Sequence, residues 1–173
     1  MSAKTKFSVF LLAASAAFFM SLENREGNVS KPYHDSGGVV TQGIGSTTKP
    51  DGTKIKITDP AISKETAREW AKAYVSKDEI TFKNSLAGVK LSQAEYDLYL
   101  DFSYQYGYVA WRNSSMRKLL IQNKHRQSCD ALLEWRKVTF NGVKRDCSIR
   151  SNNCYGVWTR QLERHKKCVE VNK

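Results

Sequence analysis

Residues 26–45 read Glu-Gly-Asn-Val-Ser-Lys-Pro-Tyr-His-Asp-Ser-Gly-Gly-Val-Val-Thr-Gln-Gly-Ile-Gly. Eight residues separate Glu26 from Asp35, and five separate Asp35 from Thr41. Pro32, the pair Gly37-Gly38, and Gly43 with Gly45 punctuate two short runs, Tyr33-His34-Asp35 and Val39 to Gln42. These runs read as the strands of a tight hairpin that folds Asp35 and Thr41 back toward each other. One acid, a second acid and a hydroxyl are thereby set around a single turn.

Two carboxylates held by a turn suit hydrolysis of a glycosidic bond. A separation of roughly 6.5–9.5 Å leaves room for water and inverts the anomeric centre, and about 5–5.5 Å favours a covalent, retaining route. The two acids differ in setting. Glu26 lies at a helix end beside Leu22 and Val29, where desolvation is expected to keep it protonated, whereas Asp35 lies in a polar, glycine-flanked turn. Glu26 is therefore the expected acid and Asp35 the base.

Working outward, the chain holds 173 residues, room for one sizeable core or two small lobes sharing a helix. Hydrophobic residues make up 40%, which excludes wholesale disorder. The formal charge of +11 is uneven: residues 109–173 hold fifteen Lys or Arg against five Asp or Glu, and residues 1–108 hold thirteen against twelve. The last third is thus a basic lobe suited to an anionic polymer or surface. Nucleic acid is not the expected partner, because no recognised motif appears and the cations are scattered among apolar helical positions.

Lys4 and Lys6 precede Phe7 to Leu22, sixteen residues whose polar members are Ser8, Ser15 and Ser21. This run, residues 1–22 with its lysine flank, reads as an export signal or a marginal membrane anchor, not as core. Ala14-Ser15-Ala16 offers a cleavage site, yet the run continues past it, so cleavage and retention both stay open.

Four cysteines follow residue 128, an even number that with an export signal points to disulfides. Of the three possible connectivities, Cys147–Cys154 closes a polar loop and leaves Cys129–Cys168 to tie a helix near residue 130 to the C-terminal helix. No CxxC pair or recognised histidine spacing supports zinc, and neither metal nor cofactor is expected.

A short helix over Ser21–Gly27 is expected before the hairpin, and a third strand at Lys54–Thr58 after it. From Pro60 the pattern turns helical: Ala67, Trp70, Ala71, Tyr74 and Val75 repeat at helical intervals to about Lys83. Ser92 with Glu95 is a capping box, opening a helix whose stripe of Tyr96, Tyr99, Leu100, Phe102 and Tyr106 reads as core and ends at Gly107. Further starts are expected at Ser114 or Ser115, at Ser128 for a helix over 130–137, and near Thr159.

The glycine after Glu26, the Pro-Tyr before the acid turn, the double glycine and the Gly-Ile-Gly after Thr41 together resemble the phage-type lysozymes, the T-even-like endolysin family, over roughly residues 22–170. Residues 102–107 resemble that family's aromatic helix end, and residues 156–163 its late Gly-Arg-Glu segment. The resemblance implies an α+β, lysozyme-like fold: a catalytic domain over 23–173, with a small antiparallel hairpin lobe at 23–59 and a helical lobe at 60–173. It implies a monomer that hydrolyses the β-1,4 bond between N-acetylmuramic acid and N-acetylglucosamine in peptidoglycan. Glu26 would protonate the leaving oxygen, Asp35 would activate water, and Thr41 would help position it. Gln105 becomes a candidate for substrate hydrogen bonding, with capping of its own helix as the alternative. Arg160 becomes a candidate partner for Glu26, with an ordinary surface arginine as the alternative. The N-terminal run resembles the signal-anchor-release segment of some endolysins, which implies export to the periplasm, with a transient inner-membrane tether if the segment is retained. A lytic transglycosylase and a non-catalytic cationic wall-binding protein are the competing functions.

Overall fold

The structure is a computed structural model that describes residues 5–35, 38–140 and 142–173. Lys4 and Gly37, both used in the sequence reading, lie outside the described residues. The chain divides into two compact units, residues 13–82 and residues 1–12 together with 83–173.

The first unit holds α1 and the hairpin. Strand β1, Phe7–Ser8, belongs to the other unit and precedes them. Helix α1 spans Ala16–Glu26, five residues earlier than the expected start at Ser21, because Ser15 caps it by accepting the Phe18 N–H at 3.1 Å. Gly27 ends it at φ +76, a conformation that a side chain would resist. Strands β2, Val29–His34, and β3, Val40–Gly43, pair antiparallel with Tyr33 opposite Thr41. The expected third strand does not form. Lys54 makes an isolated bridge to Thr48, and the Asp59 carboxylate takes the Lys56 N–H at 3.0 Å, turning the chain before a ladder can extend. Ile55 is buried but Ile57 is exposed, so the alternating apolar residues of 54–58 do not share one covered face.

Helix α2, Lys64–Asn84, follows as the spacing predicts. Ala67, Ala71, Val75 and Phe82 are buried along one stripe, and the unit's core also takes Phe18, Leu22, Ile44 and Ile55. The Glu79 carboxylate, also on α2, accepts the Ala14 N–H at 2.7 Å just before α1 begins. The long helix therefore belongs to the hairpin unit for all but its last two residues, rather than opening the helical lobe.

In the second unit β1 pairs antiparallel with β4, Lys90–Leu91. Val9 is fully buried there and Leu12 nearly so. The apolar run expected to stand outside the core thus contributes to both cores, through Val9 and Leu12 in one unit and Phe18 and Leu22 in the other. No described helix is long and apolar enough to cross a membrane.

Helix α3, Gln93–Tyr106, carries both halves of the capping box, and Tyr96, Tyr99, Leu100 and Phe102 are buried as expected. Helices α4, Tyr108–Asn113, α5, Ser115–Ile121, and α6, His125–Ala131, pack around it, with Ser114 capping α5 through the Arg117 N–H. Ser128 is not a cap. It is buried inside α6, where its hydroxyl bonds the Met116 carbonyl and lies 2.6 Å from the Tyr99 hydroxyl. The expected helix over 130–137 is replaced by one turn of 3-10 helix and strand β5, Lys137–Phe140, which pairs with β6, Val143–Asp146. The Asn141-Gly142 pair between them is a hairpin turn signal that the helical reading passed over. Helix α7 runs Tyr155–Val171, four residues earlier than Thr159, whose hydroxyl donates back to the Tyr155 carbonyl. Both disulfides form as expected, Cys129–Cys168 with Cα atoms 5.5 Å apart and Cys147–Cys154 with Cα atoms 4.9 Å apart.

One buried carboxylate collects this unit. Glu95 Oε2 accepts the Ser92 N–H at 2.8 Å, while Oε1 takes the Asn172 side-chain amide at 2.8 Å and lies 2.9 Å from His125 Nδ1 and 3.3 Å from Lys6 Nζ. Burial by itself pushes this carboxyl up, but the hydrogen bonds from His125, Ser92 and Asn172, with the Lys6 charge, hold it at about 2 against an ordinary 4.5. A depressed folded-state value stabilises the fold above the unfolded value, and that contribution disappears as pH falls from 4.5 toward 2. Glu95→Gln is expected to cost about 3 kcal/mol at pH 7 in urea unfolding. The variant should also lose the parent's steep stability decline across that acid window. An equally steep decline in the variant would show that other carboxylates cause it.

Candidate active site

Each sequence-predicted catalytic residue lies in the hairpin unit. Glu26 is the last residue of α1, and the Gly27 N–H bonds the Glu23 carbonyl at 2.9 Å, so the helix ends as the carboxyl is presented. The turn after β3 comes against that carboxyl. Gln42 and Ser46 exchange backbone hydrogen bonds at 2.9 and 3.0 Å, with Gly43 at φ +67 and Gly45 at φ +71 inside the loop. A Cβ added at Gly45 would sit 3.8 Å from Glu26 Oε2, so the glycine lets bare backbone line the acid.

Asp35 and Thr41 meet at one atom. The Val39 carbonyl accepts both the Asp35 N–H at 2.9 Å and the Thr41 hydroxyl at 3.2 Å. Asp35 Oδ1 accepts the Val39 N–H at 2.9 Å, which fixes the carboxylate against its own turn and leaves it half-buried. Thr41 is buried. The folding back of the two residues expected from the turn signals is therefore present.

Glu26 itself is exposed, as is Val29, and Leu22 faces the core. The apolar surroundings expected from Leu22 and Val29 are therefore absent, because Val29 is itself turned to solvent and Leu22 is taken up in the core.

Gln42 was missed. It is fully buried in β3, and its amide donates to the Ser30 carbonyl at 2.7 Å and the Pro60 carbonyl at 2.9 Å, joining the hairpin to the segment that leads into α2. A glutamine between Thr41 and Gly43, inside a short strand bounded by turn glycines, was the available signal. Glu23, one turn before Glu26, is held below the ordinary carboxylate range chiefly by the Arg68 side chain, whose Nε donates at 2.8 Å, and by Asn28.

Gln105 and Arg160 lie in the other unit. Gln105, in the last turn of α3, is half-buried with Oε1 enclosed and without a hydrogen-bond partner among the described residues. That oxygen does not cap its own helix; the Gly107 N–H instead bonds the Ser103 carbonyl. Arg160 Nη2 donates to Asp101 Oδ1 at 2.8 Å. Arg164, almost fully buried, donates Nε to Asp101 Oδ2 at 2.8 Å, and burial lowers its pKa while Asp101 opposes the shift. Gln161 joins in, donating to the Tyr106 hydroxyl at 2.8 Å. No group of three or more His, Cys, Asp or Glu placed to hold a metal occurs among the described residues.

A sequence model of the family described as phage lysozyme matches residues 23–150. This chain belongs to the phage lysozyme family. It is accordingly a glycoside hydrolase, a lysozyme that lyses peptidoglycan. Among similar proteins, the endolysin of Salmonella phage P22 is 31% identical over 117 residues, covering 68% of this chain and 79% of that one. The endolysin from Escherichia coli O157:H7 phage FAHEc1 superposes with a TM-score of 0.78 at 24% identity, covering 91% of this chain and 93% of that one. A mutant of P22 lysozyme gives a TM-score of 0.73 at 24% identity, covering 91% and 99%. These two structural likenesses establish the lysozyme fold in this enzyme.

The geometry makes Gly43 as constrained as the acids. A Cβ there would lie 3.0 Å from the Ala67 Cβ on α2, and its φ of +67 already disfavours a side chain. Gly43→Ala is expected to cost about 1–3 kcal/mol in denaturant unfolding and to reduce lysis of purified peptidoglycan. Unchanged stability would show that α2 gives way at no cost.

Proposed function

We propose that this lysozyme is an endolysin-type muramidase that hydrolyses the β-1,4 bond between N-acetylmuramic acid and N-acetylglucosamine with inversion. The observation that carries the reading is the pairing of Asp35 and Thr41 on the Val39 carbonyl, one turn of chain from a Glu26 lined by bare Gly45 backbone. Glu26 donates its proton to the leaving glycosidic oxygen. Asp35 accepts a proton from water as that water attacks the anomeric carbon, and the Thr41 hydroxyl orients it. Glu26 is exposed in the free enzyme, so the saccharide itself covers the carboxyl on binding.

Gln105 is proposed to hydrogen-bond the saccharide, a role supported by its enclosed, unpartnered Oε1. Arg160, whose Nη2 donates to Asp101, is proposed to contribute to binding the saccharide. The enzyme is proposed to act as a monomer after export to the periplasm through its N-terminal run. Burial of Val9, Leu12, Phe18 and Leu22 supports retention of that run in the folded enzyme, since cleavage at Ala14-Ser15-Ala16 would remove β1 and the α1 cap.

Glu26→Gln and Asp35→Asn are each expected to lower peptidoglycan digestion by about 10²–10⁴-fold. Mass spectrometry of the parent's products should show reducing ends. Anhydro-sugar ends, with activity kept in Asp35→Ala, would assign a lytic transglycosylase instead. Full killing of cells by Glu26→Gln would assign the effect to cationic binding.

A further inference from the structure

The β5–β6 hairpin pairs with no other strand among the described residues. Its register sets Phe140 opposite Val143 and Val138 opposite Arg145, so these four side chains share one face, while Lys137, Thr139, Lys144 and Asp146 share the other. Phe140 and Val143, at the turn, are 57% and 59% exposed. Ile149, just beyond the hairpin, is exposed as well. An apolar tip of this kind standing in water calls for a partner.

The charge around the tip is of one sign. Residues 136–150 carry five cations, Arg136, Lys137, Lys144, Arg145 and Arg150, against the single acid Asp146. That acid is taken by Arg136, whose Nε lies 3.0 Å from Oδ2. Lys137, Lys144 and Arg145 make no ion pair among the described residues, and the Arg145 guanidinium lies over the Phe140 ring, 5.2 Å from its centre. The base is held firmly: the Cys147 N–H bonds the Arg136 carbonyl at 2.7 Å, and the Cys147–Cys154 bridge closes the following loop. A braced hairpin thus presents two apolar side chains above a collar of unpaired cations.

We propose that this hairpin docks the enzyme onto an anionic phospholipid bilayer, with Phe140 and Val143 entering the boundary between headgroups and acyl chains and Lys137, Lys144 and Arg145 engaging lipid phosphates. Charge complementarity selects an anionic partner, and the apolar pair selects a bilayer over a charged glycan or polyanion, which offers no hydrocarbon phase to receive Phe140 and Val143. Each Lys or Arg at such a surface strengthens binding about fivefold. The site is independent of the catalytic roles assigned to Glu26 and Asp35.

The full-length protein would be co-sedimented with vesicles of phosphatidylcholine alone and of phosphatidylcholine with 30% phosphatidylglycerol, a composition that carries a surface charge of about the needed sign and strength. Binding is expected to the anionic vesicles only, weakening with salt. It should fall about tenfold or more in both Phe140→Ser/Val143→Ser and Lys144→Glu/Arg145→Glu, each keeping the parent's melting temperature and peptidoglycan digestion. Phe140→Trp should be quenched by brominated lipid, a direct reading of insertion that does not depend on the double variants folding. The proposal is overturned if the parent ignores anionic vesicles or binds neutral ones equally. It is also overturned if the tryptophan is not quenched. Parent-like binding by Phe140→Ser/Val143→Ser, with loss in the charge reversal, would mean that the hairpin reads a polyanion and not a bilayer.

Discussion

The Glu95 carboxylate is the point on which the helical unit depends. It is fully buried, yet groups from four separate stretches of chain converge on it: Lys6 before β1, Ser92 at the start of α3, His125 at the start of α6, and Asn172 after α7. A buried charge is tolerated when each of its oxygens is bonded, and removing any donor leaves the rest uncompensated. The capping box that starts α3 therefore also serves as the knot that ties both ends of the chain to the unit. Around it the aromatic stripe of α3 packs on Trp111 and Trp135, and the Cys129–Cys168 bridge joins α6 to α7 beside the Tyr99 hydroxyl.

The hairpin unit solves a different problem, presenting polar groups at the edge of an apolar core. Glycines do this by removing side chains. Gly27 stops α1 at Glu26, Gly43 lets β3 approach Ala67, and Gly45 leaves backbone beside the acid. Gln42, buried and bonded to the Ser30 and Pro60 carbonyls, holds the strand against the segment before α2, so the Asp35 turn and the Glu26 helix end belong to one braced piece. Preorganisation of this kind is what acid–base chemistry on a sugar requires, since a misplaced carboxylate loses the proton transfer.

Charge is distributed along the same division. Glu26 and Asp35 sit in a part of the chain that is nearly balanced, and the cationic excess begins after residue 108. Within that excess Arg164 and Arg160 are committed to Asp101, and Arg136 to Asp146, while the β5–β6 tip keeps its cations unpaired beside exposed Phe140 and Val143. A basic lobe read from composition alone thus resolves into internal ion pairs and an outward-facing collar.

Local chemistry carried much of the reading. Turn glycines located the hairpin, the Ser92–Glu95 spacing located α3, apolar spacing located α2, and the even cysteines were paired correctly, because each signal acts over a few residues or is limited to three connectivities. Where the reading failed, hydrogen-bond partners and packing decided, near or far along the chain. Asp59 captured the Lys56 N–H and ended a third strand; Tyr99 and Met116 drew Ser128 into α6; β4 and the two cores took up parts of an apolar run expected to stand outside the core. The amino-acid sequence by itself determined which residues could be acid, base and hydroxyl, since spacing and turn propensity are local. Only the tertiary structure decided that Glu26 stands exposed, that Gln42 braces the strand and that Glu95 binds both chain ends, because burial and hydrogen-bond partners come from residues far apart in the chain.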